Sequence, residues 1–375
     1  MREPKLPVET QERGRQFWVQ QIVGGLIGAF ILLLLIESDV KLPPLSWRFI
    51  VQAAIAIFLS VAAHEAGHLI GGGLGGLRPL IIAVWPIKLQ REASSWRVTY
   101  LRSNKLSGFV SMDPGGESNL ARRLLLMVVA GPLASSVVGA AAAGLVLAAP
   151  VWNEWIIAEL KLVAFWSFSF AVIGFIPIPS RHAVNDGMRL RMLLRRDEQA
   201  DRFCVLMLLS ASLLSGSRPR DWKKDLIDRL PGPLDGFPDA LSAQTSRYNF
   251  FLDSGSLDEA DSILDWIVAQ KLPGEARAIW SLEAAWFQAR FRSDLQGARQ
   301  WMEAAPTKVK THDGRCALWK ARAAIAFLEE RWVDAEAAVE QALKACDRMA
   351  DTGITRVIRE EVKQLIEETD AAKKH

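Results

Sequence analysis

Long uncharged runs separated by charged segments are the main pattern in the first part of the chain. The run Phe17–Ile36 has 20 residues, which at about 1.5 Å per residue matches a bilayer core of about 30 Å. Three further runs follow, at Phe49–Leu77, Leu124–Asn153 and Leu162–Ser180, and the first of these three is uncharged apart from His64, Glu65 and His68. A cleaved signal peptide is the alternative for the first run, but that run is too long and Glu37–Pro44 offers no small-residue cleavage site. The pattern therefore predicts four transmembrane helices.

The distribution of Lys and Arg predicts how these helices are oriented. Basic residues concentrate in the N-terminal tail, in the segment between the second and third runs, and after the fourth run. Because Lys and Arg in short loops resist translocation, all three regions are expected on the cytoplasmic side. Both termini are then cytoplasmic.

Composition separates the two halves of the chain. Residues 1–210 hold 21 Lys and Arg against 15 Asp and Glu, whereas residues 211–375 hold 24 against 27. The apolar content excludes a disordered chain, and three cysteines exclude a disulfide scaffold. Cys204, Cys316 and Cys346 have neither zinc-type nor redox-type spacing. A net charge of +3 gives no case for nucleic-acid binding.

The second run contains the sequence His64-Glu65-Ala66-Gly67-His68, an HExxH motif. Residues four apart lie on one face of a helix, so both imidazoles can reach one metal ion. Glu65 is placed to take a proton from a water molecule at that metal, the general-base role of zinc hydrolases. Buried polar residues without function are the alternative. Ionisable residues inside a membrane span are costly, which favours the functional interpretation.

A catalytic zinc usually has three protein ligands, so a third must come from another segment. His64 lies beyond the middle of the second run, toward its cytoplasmic end, and the fourth run ends on that side. Asp186, just beyond it, is the candidate. Two alternatives remain open: Asp186 could cap the helix beginning near Met188, and His182 could be the third ligand instead.

Four motifs in this order resemble the site-2 protease family of intramembrane zinc metalloproteases. They are His64–His68, Ser107–Met112, Ala130–Ala134, and Ile176–Pro179 together with Asp186-Gly187, and they fall within residues 48–190. The resemblance implies that His64, His68 and Asp186 bind one Zn²⁺ and that Glu65 activates water. It also implies a bacterial inner membrane. This chain has Gly174 where the family often has Asn, and a longer run before the aspartate.

The segment between the second and third spans is rich in Ile, Val, Trp and Tyr. Leu80–Gln90, Ser95–Leu101 and Gly108–Met112 are predicted to be short strands of a hairpin or small sheet. An edge strand here could accept the backbone of an unwound substrate by β-augmentation. A simple loop packed on the lipid headgroups is the alternative.

The last part of the chain predicts helical hairpins. Three segments resemble one another, with Ala260, Ala298 and Ala335 in similar places at spacings of 38 and 37 residues. The segments are Tyr248–Ile267, Ala285–Met302 and Ala324–Leu343. The pattern resembles tetratricopeptide-like repeats, whose period is about 34 residues. A cytoplasmic docking module for a protein partner, or for self-association, is therefore predicted for residues 241–375.

The sequence as a whole predicts an α-helical polytopic membrane protein with a small β-hairpin insert and a C-terminal all-α helical-repeat domain. The predicted parts are a tail at 1–16, a transmembrane metalloprotease domain at 17–202 with a strand-rich segment at 73–118, an interfacial helix and linker at 203–240, and the repeats. The predicted function is zinc-dependent cleavage of a membrane-protein substrate in or beside the bilayer. A noncatalytic membrane scaffold is the alternative, and a metal transporter is a weaker one.

Overall fold

A computed structural model describes residues 46–92, 95–101, 108–148, 153–178, 184–233, 239–272, 274–305 and 309–374. The N-terminal tail, the first predicted span at Phe17–Ile36 and the alternative ligand His182 lie outside the described residues. The chain divides into two compact units, Met1–Ala211 and Ser212–His375. The first unit thus runs past residue 202, where the sequence predicted the end of the membrane domain.

Three long helices dominate the first unit. They are α1 (Trp47–Leu74), α2 (Leu120–Ala148) and α3 (Glu154–Phe175). Within the described residues, these three helices are long and apolar enough to cross a membrane. All three pack against one another. In α1, Ser60 accepts a hydrogen bond from Ser167 of α3 at 3.0 Å, so the contact between these apolar helices includes a buried polar pair.

The bounds of these helices differ from the uncharged runs for local reasons. Helix α1 begins after Ser46, whose side chain accepts a hydrogen bond from the Phe49 amide at 3.3 Å. Helix α3 begins after Asn153, which caps it in the same way through the Trp155 amide. It ends at Phe175 because Pro177 has no amide hydrogen to continue the helical bonding.

The segment between α1 and α2 forms a four-stranded antiparallel sheet in the order β3-β2-β1-β4. The strands are β1 (Arg78–Val84), β2 (Ile87–Arg91), β3 (Trp96–Tyr100) and β4 (Gly108–Asp113). The sequence predicted strands in this segment. It predicted a single strand over Leu80–Gln90, whereas the turn at Trp85-Pro86 divides this stretch into β1 and β2. Both β3 and β4 are edge strands, and β4 also packs against α1.

Two further helices follow, α4 (Asp186–Arg195) and α5 (Glu198–Leu214), and the last three residues of α5 belong to the second unit. Helix α4 packs against α2 and α3. Helix α5 contains the apolar stretch that begins at Phe203, and its side chains Phe203, Val205, Leu206 and Leu209 are almost fully buried.

The second unit is helical throughout its described residues. A short 3₁₀ turn at Pro219–Asp221 and α6 (Lys224–Asp228) lie in the segment predicted to be a linker. Three hairpins and a final helix follow: α7 (Ala240–Asp253) with α8 (Leu257–Val268), α9 (Gly274–Arg292) with α10 (Leu295–Ala304), α11 (His312–Leu328) with α12 (Trp332–Cys346), and α13 (Gly353–Ala372). Ala260, Ala298 and Ala335 each lie fully buried in the second helix of a hairpin.

Candidate metal centre

Three side chains from two helices converge in the first unit. His64 and His68 lie one turn apart on α1, and Asp186 is the first residue of α4. Their ligand atoms all lie within 4.8 Å of one another, so the three residues could hold a metal ion. The side chains are 13%, 8% and 15% exposed, which leaves limited access for solvent.

One carboxylate oxygen faces both imidazoles. Asp186 Oδ2 lies 3.1 Å from His64 Nε2 and 3.2 Å from His68 Nε2. In a tetrahedral zinc site with bonds of 2.0–2.1 Å, neighbouring ligand atoms are about 3.3 Å apart. The two distances from Asp186 Oδ2 are therefore close to those between neighbouring ligands of zinc, while all three ligand atoms lie within 4.8 Å.

The hydrogen bond on the far side of His68 fixes which ring nitrogen can bind a metal. Nδ1 of His68 lies 2.8 Å from the carbonyl oxygen of Met127, which can only accept, so Nδ1 must carry the proton. In the neutral ring, Nε2 then presents a lone pair toward Asp186 Oδ2, which is also an acceptor. Two acceptors that face each other are satisfied either by a proton on Nε2 or by a divalent metal ion between them.

His64 has a different partner on its far side. Its Nδ1 lies 2.8 Å from Ser135 Oγ of α2, so the hydroxyl orients the ring with Nε2 toward Asp186. Outer hydrogen bonds of this kind hold histidine ligands in place in metal sites. Both histidines are therefore oriented by α2, one through a side chain and one through the backbone.

Asp186 is positioned by its neighbour Asn185. The Asn185 side-chain oxygen accepts a hydrogen bond from the Met188 amide, so Asn185 is the N-cap of α4. Asp186, which the sequence left open as the cap, instead turns its carboxylate to the histidines. The Asn185 amide group also donates to the carbonyl oxygens of Ile173 and Ile176, at 2.8 and 2.7 Å. These bonds tie the start of α4 to the end of α3.

The second oxygen of Asp186 contacts a cation of its own helix. Arg189 Nη1 lies 3.5 Å from Asp186 Oδ1. The carboxylate thus has one oxygen toward the histidines and the other toward Arg189, which restrains its rotation.

Glu65 lies beside the triad on α1 and is only 7% exposed. Gly108, the first residue of β4, is in tight contact with it, because a Cβ atom on Gly108 would lie 2.3 Å from Glu65 Oε1. Strand β4 therefore begins directly against this carboxylate. Since β4 is an edge strand of the described sheet, a backbone edge lies close to Glu65.

A glycine also makes room for the second histidine. A Cβ atom on Gly131 of α2 would lie 2.3 Å from both Nε2 and Cε1 of His68. Gly108 and Gly131 belong to the motifs Ser107–Met112 and Ala130–Ala134. Each lies against a residue of the HExxH motif, Gly108 against Glu65 and Gly131 against His68. The spacing along the chain could not predict Ser135, Met127 or Asn185 as partners of the site.

The chain was compared with protein-family models, with curated proteins and with solved structures, and none of the three comparisons found a match.

Proposed function

We propose that this chain is a zinc-dependent endopeptidase that cleaves a membrane protein within or beside its transmembrane segment. The observation that carries the proposal is the convergence of His64, His68 and Asp186 on one point, with Glu65 next to it. Two nitrogens and one oxygen are a donor set typical of catalytic zinc, which keeps a fourth position open.

The residues of the site have distinct roles in this reaction. His64, His68 and Asp186 would hold the ion, which when bound polarises the substrate carbonyl and makes water more acidic. Glu65 takes one proton from the attacking water as the water oxygen forms its bond to the carbonyl carbon. When the carbon–nitrogen bond breaks, Glu65 returns that proton to the leaving nitrogen.

The surroundings of the site support a substrate segment in the membrane. The metal ligands His64 and His68 lie on α1, one of three helices that are long and apolar enough to span a bilayer. Helical substrates shield their amides by internal hydrogen bonds, so a scissile segment has to unwind first. Strand β4, which begins beside Glu65 and has β1 as its one strand partner among the described residues, offers hydrogen-bond partners to such an extended segment.

We also propose an orientation of the chain in the membrane. The distribution of Lys and Arg supports a multi-pass protein with both termini in the cytoplasm. On this arrangement, the catalytic centre opens toward the cytoplasmic side, and the second unit is cytoplasmic.

The test compares cells that carry the wild-type chain, Glu65→Gln or Glu154→Gln. Glu154 is an exposed glutamate at the start of α3, so the control makes the same chemical change away from the site. Membranes are searched by mass spectrometry for new peptide ends in or near transmembrane segments. We expect such ends with the wild type and Glu154→Gln, and none with Glu65→Gln, although Glu65→Gln retains zinc.

Identical peptide ends in all three samples would contradict the proposal and favour a noncatalytic scaffold. Metal content is measured on the same preparations, because loss of zinc from Glu65→Gln would mean that the substitution damaged the site rather than the proton transfer.

A further inference from the structure

The second unit has an open cavity at one end of the hairpin formed by α11 and α12. The cavity has a volume of about 590 Å³ and lies between the start of α11 and the end of α12. Small-molecule sites usually measure about 300–1,000 Å³, so this volume is suited to a small ligand. We call the basic residues that line the cavity the basic pocket, and they are Lys310, His312, Arg315, Lys344 and Arg348.

The charge of the basic pocket differs from that of the unit around it. Residues 211–375 hold 24 Lys and Arg against 27 Asp and Glu, so basic residues are in the minority there. The described residues that line the cavity nevertheless include no aspartate and no glutamate. The excess of positive charge is therefore local to the cavity.

The two arginines of the basic pocket are not used by the fold. Arg315 and Arg348 are exposed, and neither has a carboxylate partner among the described residues. Lys344 pairs with Glu340 at 2.6 Å, but both side chains are more than half exposed, and such pairs contribute little to stability. Like charges that line one cavity repel one another, and a bound anion removes that repulsion.

His312 adds a polar atom without a partner. Its Nδ1 is shielded from solvent and has no hydrogen-bond partner among the described residues. A buried polar atom of this kind costs free energy until a ligand or a water molecule bonds to it. His312 is also the first residue of α11, where the helix dipole favours negative charge. The start of α11 therefore favours an anion at the same end of the hairpin as the two arginines.

The wall of the cavity before α11 is fixed by the protein itself. Glu275 of α9 accepts hydrogen bonds from the amides of Lys310 and Thr311, at 2.9 and 2.6 Å, and from the Thr311 hydroxyl at 2.7 Å. Thr311 in turn caps α11 by accepting a hydrogen bond from the Gly314 amide at 3.1 Å. Because this segment is already ordered, a ligand does not have to order it on binding.

We propose that the basic pocket binds a small organic anion that carries two or more phosphate groups. Arginine side chains bind phosphate oxygens through paired hydrogen bonds, and Arg315 and Arg348 supply them from α11 and from just beyond α12. Five basic residues around a cavity of this size match several negative charges on a compact ligand. Leu318 and Trp319 line the same cavity and contact the apolar part of the ligand. This binding function is separate from the proposed hydrolase.

The test measures binding of inorganic pyrophosphate to the full-length chain in detergent by isothermal titration calorimetry. EDTA is present, so that no metal ion links the probe to the chain. The pocket variants are Arg315→Gln and Arg348→Gln. The matched control is Arg331→Gln, because Arg331 is exposed and lies in the turn at the opposite end of the same hairpin.

We expect the wild type and Arg331→Gln to bind pyrophosphate equally, and each pocket variant to bind it about 10-fold more weakly, because each loses a charge-assisted hydrogen bond. Arg348→Lys keeps the charge and should recover part of the affinity. Thermal unfolding is followed on the same samples. Since both arginines are exposed, we expect unchanged midpoints, so that a lower affinity reports on the pocket rather than on the fold.

Two further measurements identify the source of the phosphate groups, because soluble nucleotides and lipid headgroups share this chemistry. ATP replaces pyrophosphate in the titrations, and phospholipids that stay with the purified chain are identified by mass spectrometry. A phospholipid retained by the wild type and Arg331→Gln but lost from Arg348→Gln assigns the pocket to a lipid headgroup. ATP binding that depends on Arg348, without such a lipid, assigns it to a soluble ligand.

Two results would overturn the proposal. One is pyrophosphate affinity that is the same in the wild type and both pocket variants, or no binding to a wild-type chain that retains no phospholipid. The other is binding of a hexaglutamate peptide to that chain without binding of pyrophosphate or ATP, which would identify an acidic peptide as the ligand.

Discussion

Gly131 of α2 lies directly against the ring of His68, the second histidine of the HExxH motif. A Cβ atom at residue 131 would be 2.3 Å from His68 Nε2, the nitrogen that faces Asp186. Helix α2 thus approaches the candidate metal centre as closely as a backbone can, and it also supplies the Met127 carbonyl oxygen that holds the other side of the same ring.

Gly131→Ala is expected to displace His68 and to weaken zinc binding at least about 10-fold, because the new methyl group takes the space of the ring. Gly144→Ala is the control on the same helix, since a Cβ atom there meets nothing within 4 Å. Zinc affinity is measured by competition with a chromogenic chelator. Equal zinc affinities for the two variants would show that His68 does not bind the metal from the position that its ring has in the structure.

Ser135→Ala is expected to weaken zinc binding about 10- to 100-fold, because His64 loses the hydroxyl that orients its ring. Ser135→Thr keeps a hydroxyl and should recover much of the affinity. Ser136→Ala is the matched control, because among the described residues the neighbouring hydroxyl donates to the Pro132 carbonyl of its own helix and does not contact the histidines. If Ser135→Ala binds zinc as Ser136→Ala does, the hydroxyl has no role in positioning His64.

Asn185→Ala should reduce both zinc affinity and thermal stability. It removes the cap of α4, which contributes about 1 kcal/mol in a typical helix, and it frees the start of α4 from the end of α3. Asn185→Asp keeps the capping oxygen but loses both donated bonds. The expected order of stability by thermal unfolding is wild type, Asn185→Asp, Asn185→Ala. A variant Asn185→Ala as stable as the wild type would contradict this role.

Local spacing was enough to predict part of the site. His64 and His68 lie four residues apart on one helix, so any helix over this stretch places their rings on one face. Asp186 was predicted from its depth at the end of the fourth run, and the structure brings it to both histidines. This prediction rested on the expectation that helix ends on one side of a membrane domain lie at similar depth.

The partners that hold these ligands could not be predicted. Ser135 is 71 positions from His64, and Met127 is 59 positions from His68, so only the packing of α1 on α2 brings them together. Helix packing also accounts for Gly174, the position at which the family that the chain resembles often has Asn. A Cβ atom there would lie 2.7 Å from Pro132 Cγ and 3.4 Å from His64 Cε1, which leaves no room for that side chain.

The spacing of apolar residues in the last helix, α13, predicts the helix but not its partners. The predicted helical domain, 241–375, included α13, but its three repeat segments ended at Leu343, although Val357, Ile358, Val362, Leu365 and Ile366 have helical spacing. This spacing predicts an amphipathic helix. It does not indicate which helices the apolar side covers or that Arg290, 78 positions before Glu368, is its partner.

Lys320 provides a prediction about pH. It is 2% exposed and lies between Glu283 and Glu361, whose charges outweigh the effect of burial and raise the pKa of Lys320. Burial raises the pKa of Glu361, and Lys320 opposes that rise. Lys320→Met leaves two buried carboxylates without a cation, which should lower the free energy of unfolding by about 3–5 kcal/mol near pH 8.

The loss should be smaller near pH 5. A carboxyl group whose pKa is raised in the folded state contributes stability when it is protonated, and this contribution is lost as the pH rises through the folded pKa. Removing Lys320 raises the pKa of Glu361 further. Urea unfolding followed by tryptophan fluorescence measures both conditions. Lys344→Met is the control, because Lys344 and its partner Glu340 are exposed. A loss that is equal at the two pH values would contradict this account.

Metal content is the most direct test of the central claim that His64, His68 and Asp186 bind one zinc ion. It is measured by mass spectrometry of detergent-purified wild type, Glu65→Gln, His64→Ala, His68→Ala, His182→Ala and Asp186→Ala. We predict about one zinc per chain in the wild type, Glu65→Gln and His182→Ala, and none in the other three. Zinc retained by Asp186→Ala but lost from His182→Ala, or no zinc in the wild type, would contradict the account.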